Sequence, residues 1–72
     1  MKKIKKIKIK INGKFLTINE NSSLSNFIKQ HKIPLKKVAI ELNQEIIDKN
    51  KLSKIKLKNN DKIEIVHFIG GG

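Results

Sequence analysis

A chain of 72 residues closes one hydrophobic core and no more, so an elaborate interior site is excluded and function should lie on the surface or at an end. The absence of cysteine removes disulfides, thiolate nucleophiles and cysteine-ligated metals from consideration. A net charge of +11, carried by 17 lysines without a single arginine, raises nucleic acid as a partner. Readers of bases and phosphates use the bidentate guanidinium, and single-strand binders interleave aromatic rings, of which this chain has only Phe15, Phe27 and Phe68. Specific readout is therefore poorly supported, and a solvated lysine surface explains the charge without any ligand. Lysines 5, 6, 8 and 10 interrupt the start of the chain, so no secretory leader is expected. Nor is any aliphatic run near the roughly 20 residues of a membrane span. The expected setting is the cytoplasm.

Ile7, Ile9 and Ile11 alternate with lysines, as a half-buried strand requires. Asn12-Gly13 then supplies the strongest short-range hairpin signal, two residues that accept the positive φ angles of a type I′ turn. The return strand runs from Lys14 to Ile18. A two-residue loop sets Ile11 against Lys14, Ile9 against Leu16 and Ile7 against Ile18, and leaves Phe15 beside Lys10 on the other face. Ser22 or Ser23 is the expected N-cap of a helix whose apolar stripe is Leu24, Phe27, Ile28 and His31, and Ile33-Pro34 ends it.

Val38, Ile40 and Leu42 mark a third strand, Asn43-Gln44 a turn, and Glu45-Ile46-Ile47 a short fourth strand. Asp48 to Lys54 is polar apart from Leu52 and reads as an irregular or single-turn connection, with Ile55 and Leu57 as candidates for another brief strand. After the turn residues Asn59-Asn60-Asp61, a final strand runs from Lys62 to about Phe68, with Ile63, Ile65 and His67 on the inward parity and Val66 and Phe68 on the opposite one. The order predicts an α+β fold of the β-grasp type, a mixed four- to five-stranded sheet packed on one main helix, with residues 1–68 as the domain and 69–72 as a flexible tail.

Three of the four glycines are Gly70, Gly71 and Gly72. At an average glycine usage of about 7%, such a run at a given end arises by chance in roughly 3 of 10,000 sequences. Residues without Cβ can thread a narrow channel, which suits chemistry at a terminal carboxylate. Val66, Phe68 and Ile69 form an apolar group where strand gives way to tail, either edge packing or a docking patch for a partner. No catalytic residue is expected. The serines sit in capping and turn contexts, and His31 and His67 lack any metal-ligand spacing, so no metal site is expected either.

The segments Val38-Ala39-Ile40-Glu41-Leu42-Asn43 and Glu45-Ile46-Ile47, and the ending Val66-His67-Phe68-Ile69-Gly70-Gly71-Gly72, resemble the ThiS sulfur carriers of thiamine biosynthesis, which are ubiquitin-like β-grasp proteins. That resemblance implies a carrier that binds no cofactor of its own and is a monomer when free. A ThiF-type, E1-like adenylyltransferase would use ATP to adenylate Gly72, a sulfur donor would convert it to a thiocarboxylate, and a ThiG-type thiazole synthase would take the sulfur. The small subunit of molybdopterin synthase and ubiquitin-like modifiers share the fold and the Gly-Gly end. A basic nucleic-acid-binding module is the alternative of another class, testable by a steep loss of affinity with salt.

Overall fold

The computed structural model describes residues 5–68. Strand β1 (Lys6–Ile11) and strand β2 (Lys14–Asn19) form the expected antiparallel hairpin in the expected register, Ile7 against Ile18, Ile9 against Leu16 and Ile11 against Lys14. The turn works as its residue types predict, with φ of 46° at Asn12 and 85° at Gly13. Because side chains alternate, this register puts Ile9 in the core and Phe15 on the outer face.

Helix α1 (Leu24–Gln30) is only two turns long, so packing and caps must hold it. Ser23 is the N-cap, its hydroxyl accepting from the Asn26 amide at 3.0 Å. At the other end Lys32 takes a left-handed φ of 52°, while the amides of Lys32 and Ile33 bond back to the carbonyls of Lys29 and Ile28. That is a Schellman closure with lysine where glycine is usual. His31 sits at the margin of the stripe rather than in it. It is exposed, its ring lies 4.2 Å from that of Phe27, and Nδ1 donates to the Phe27 carbonyl.

A short 3₁₀ turn at Leu35–Lys37 leads into β3 (Val38–Leu42) and β4 (Glu45–Ile46), joined by Asn43 and Gln44, both at positive φ. The connection at Lys49–Lys54 is a 3₁₀ helix capped by Asp48, and it buries Leu52. Strand β5 (Lys62–His67) completes a five-stranded sheet in the order β2-β1-β5-β3-β4, parallel between β1 and β5 and antiparallel elsewhere. One expected element is absent: Ile55 and Leu57 do not add a sheet strand. Their backbone serves the helix entry instead, where the Leu24 amide donates to Ile55, the Leu57 amide donates to Ser22, and Ser23 bridges Lys56. With the Ile55 carbonyl and the Leu57 amide paired in this way the segment stays out of the sheet, although the Leu57 side chain is buried.

Between sheet and helix lies one core of Ile9, Leu24, Phe27, Ile28, Val38, Ile40, Leu52, Leu57 and Ile63. Every buried aliphatic side chain there contributes about 1.5–3 kcal/mol, which is large against the margin of a domain this small.

Candidate functional site

The site is built by the middle strand. β5 lies between β1 and β3, and asparagines from the turns on either side clamp its first half. Asn12, in the β1–β2 turn, accepts from the Ile65 amide at 2.7 Å through its side chain, and its backbone amide donates to Ile63 at 2.9 Å. Asn43, in the β3–β4 turn, accepts from the Lys62 amide at 2.9 Å and donates through Nδ2 to Asp61 Oδ1 at 3.0 Å. Asn59 accepts from the Lys8 amide and Asp61 from the Lys58 amide, which fixes the turn that feeds the strand. Sequence reasoning identifies these residues as turn formers. The second role of Asn12 and Asn43, as side chains bonded to β5, is the part it misses, and the only signal available was asparagine at each turn.

Beyond this clamp the strand emerges. Its ladder to β1 covers Lys62 and Ile63 alone, so after Ile65 the neighbouring strand is β3, with Ala39 opposite Val66 and Val38 opposite His67. His67 keeps the inward parity of Ile63 and Ile65 and lies opposite the buried Val38, yet is itself exposed, at a point where the ladder to β1 has ended. Val66 and Phe68 are both exposed, at 46% and 54%. The Phe68 amide donates to the Lys37 carbonyl at 2.9 Å, and the Lys49 ammonium stands 5.6 Å from the centre of the Phe68 ring. Lys49 is itself held by a hydrogen bond to the Leu35 carbonyl. The strand thus ends on an exposed aromatic ring beside fixed positive charge, an arrangement suited to docking rather than to catalysis. Ile69 and Gly70, Gly71 and Gly72 lie outside the described residues.

Among the described residues there is no group of three or more histidine, cysteine or carboxylate side chains that could hold a metal. His31 and His67 are not brought together, the one capping the helix and the other pairing with Val38. Among the same residues no helix is long and apolar enough to cross a membrane.

Fold and site define a small β-grasp protein that presents the end of its middle strand. The sequence matches the model of the ThiS family over residues 4–72. It is 34% identical over 65 residues to the sulfur carrier protein ThiS of Bacillus subtilis, covering 89% of this chain and 98% of that one. The crystal structure of the thiamine biosynthesis protein ThiS from Geobacter metallireducens superposes with a TM-score of 0.81 at 26% identity, covering 92% of this chain and all of that one. The chain is also 33% identical over 66 residues to a thiazole synthase of Paramagnetospirillum magneticum, of which it spans only 20%. The chain belongs to the ThiS family.

Proposed function

We propose that this protein is a sulfur carrier of thiamine biosynthesis, a protein co-substrate whose reactive group is the carboxylate of Gly72. The observation that supports this most is the match to a sulfur carrier over nearly its whole length, on a fold whose clamped middle strand leads directly to the glycines. At neutral pH an α-carboxyl, with a reference pKa of about 3.3–3.7, is an anion and a poor electrophile. An E1-like, ThiF-type enzyme would join it to the α-phosphorus of ATP with loss of pyrophosphate, creating an acyl-adenylate. A persulfide sulfur then attacks the carbonyl carbon and AMP leaves. Cleavage of the resulting sulfur–sulfur bond by a thiol leaves the thiocarboxylate.

The carrier's own share in this chemistry is access and placement. Gly70 and Gly71 would enter the active-site channel while Val66, Phe68 and Ile69 seat the domain at its mouth. Thiazole synthase is the proposed acceptor, and the thiazole synthase of P. magneticum contains a stretch resembling this whole domain, as expected of two functions that work in contact. The ThiS family match and the ThiS structural neighbour favour this pathway over that of molybdopterin synthase.

The test is at the last residue. Removing Gly72, or extending the chain by one residue beyond it, should abolish sulfur incorporation by the activating enzyme and leave the fold unchanged by circular dichroism. Sulfur incorporation that persists in either variant would refute the assignment of Gly72.

A further inference from the structure

Asn12 is the one asparagine of the chain that is followed by glycine. That pair loses its side-chain amide more readily than other asparagine pairs, because a residue without Cβ leaves its backbone nitrogen open to approach. The Gly13 nitrogen gives up its proton and bonds to Asn12 Cγ, and Nδ2 departs as ammonia. Water then opens the succinimide ring. Opening at Cγ gives aspartate; opening at the α-carbonyl gives isoaspartate, whose backbone runs through the former side chain and is longer by a single atom. On either route one water is consumed and one ammonia is released, with no oxidant or reductant.

The turn leaves room for this reaction, and β5 restrains it. Asn12 is exposed, and nothing lies within 4 Å of where a Cβ on Gly13 would stand, so ring and water both have space. The restraint comes from Ile65, whose amide donates to Asn12 Oδ1 at 2.7 Å and whose carbonyl accepts from Nδ2 at 3.4 Å, while the Asn12 backbone amide donates to Ile63 at 2.9 Å. These bonds hold the side chain on the neighbouring strand, and attack at Cγ requires it to turn back onto Gly13. Asn43 and Asn59 are also bonded across to neighbouring strands, but the side chains of Gln44 and Asn60 crowd the same approach there.

We propose that Asn12 is a site of self-modification, converted by water through a succinimide with Gly13 at a rate set by the opening of its clamp on β5, and that the isoaspartate form releases the strand. The product cannot rebuild the clamp. Aspartate still accepts from the Ile65 amide, but it sets a second oxygen where Nδ2 faced the Ile65 carbonyl. Isoaspartate lengthens a two-residue turn whose register has no slack. What is loosened is the middle of β5, the strand that continues toward the terminal glycines.

The test incubates the full chain in neutral buffer, folded or in concentrated urea, beside a synthetic peptide of residues 11–14. Cleavage after Lys10 and Lys14 releases the same segment from the protein, and chromatography with mass detection separates its asparagine, aspartate and isoaspartate forms. The unfolded chain and the peptide should react at similar rates, and the folded chain about tenfold more slowly, as expected when a hydrogen-bonded contact must open first. Hydrogen exchange at the Ile65 amide reports the same opening, so urea below the unfolding transition should raise both rates together. Ile65→Pro, which removes the amide that Asn12 accepts, should bring the folded rate to that of the peptide; where that variant does not fold, the urea series decides alone. In the purified isoaspartate form the Ile65 amide should exchange about tenfold faster than in the parent chain. A folded chain as reactive as the peptide, reaction falling first on another asparagine, or exchange at Ile65 that does not follow the reaction overturns the proposal. An isoaspartate form whose Ile65 amide stays protected overturns the release of β5.

Discussion

The two halves of β5 behave as if they belonged to different proteins. From Lys62 to Ile65 the strand is gripped on both sides, with Ile63 only 1% exposed and asparagine side chains bonded to the backbone of Lys62 and Ile65. From Val66 to Phe68 the strand pairs on one side and leaves two large apolar side chains in solvent. The first half turns Ile63 and Ile65 into the core, and the second leaves every side chain exposed. A residue of the same chemical type, Ile63 or Val66, therefore has a different task according to which side of Ile65 it occupies.

Substitutions can break or sharpen that contrast. The largest effect should come from Ile63→Ala, about 3–4 kcal/mol of lost stability, because the cavity forms in the centre of a core with little to spare. Urea denaturation reads it, and a loss below about 1 kcal/mol would show that the middle of β5 is not the anchor. Next, Asn12→Ala removes the partner of the Ile65 amide and places alanine at a φ of 46°, for an expected loss of about 2–3 kcal/mol. Asn12→Gly separates the two causes, since it keeps the backbone freedom and loses only the hydrogen bond.

Gln44→Gly should act in the opposite direction. Gln44 holds a φ of 73°, so glycine relieves strain of about 1–2 kcal/mol while adding flexibility to the unfolded chain, for a net gain of about 0.5–1 kcal/mol. Thermal unfolding measures it; a loss would mean that the glutamine side chain has a partner of its own. Phe68→Ala should have the smallest effect on the fold, under about 1 kcal/mol, because the ring is more than half exposed and its contact with Lys49 lies at the surface. The same variant should weaken binding to the activating enzyme markedly. Equal damage to folding and binding would return Phe68 to the status of edge packing.

Much of this was readable in the residues themselves. The hairpin register followed from Asn12-Gly13 and the isoleucine alternation because a two-residue turn leaves no freedom to slip. The helix followed from Ser23 and the Leu24-Phe27-Ile28 stripe. Ile55 and Leu57 misled, since an apolar alternation of two residues looks the same whether its backbone pairs with a strand or with the entry to a helix. His31 was legible as a residue bordering the stripe, and it stands there as the C-cap, one residue past the last turn. Val66 and Phe68 were legible as the outward parity of the last strand, and both are exposed. The clamp on β5 was not legible, for it depends on which strands become neighbours, and Asn12 and Ile65 are 53 residues apart in the chain.

Intact-mass spectrometry of the protein after incubation with its activating enzyme, ATP and a sulfur donor tests directly where the chemistry occurs. The expected spectrum shows one oxygen replaced by one sulfur, with fragmentation confining the change to Gly72. An unchanged mass, or sulfur carried anywhere else in the chain, would contradict it.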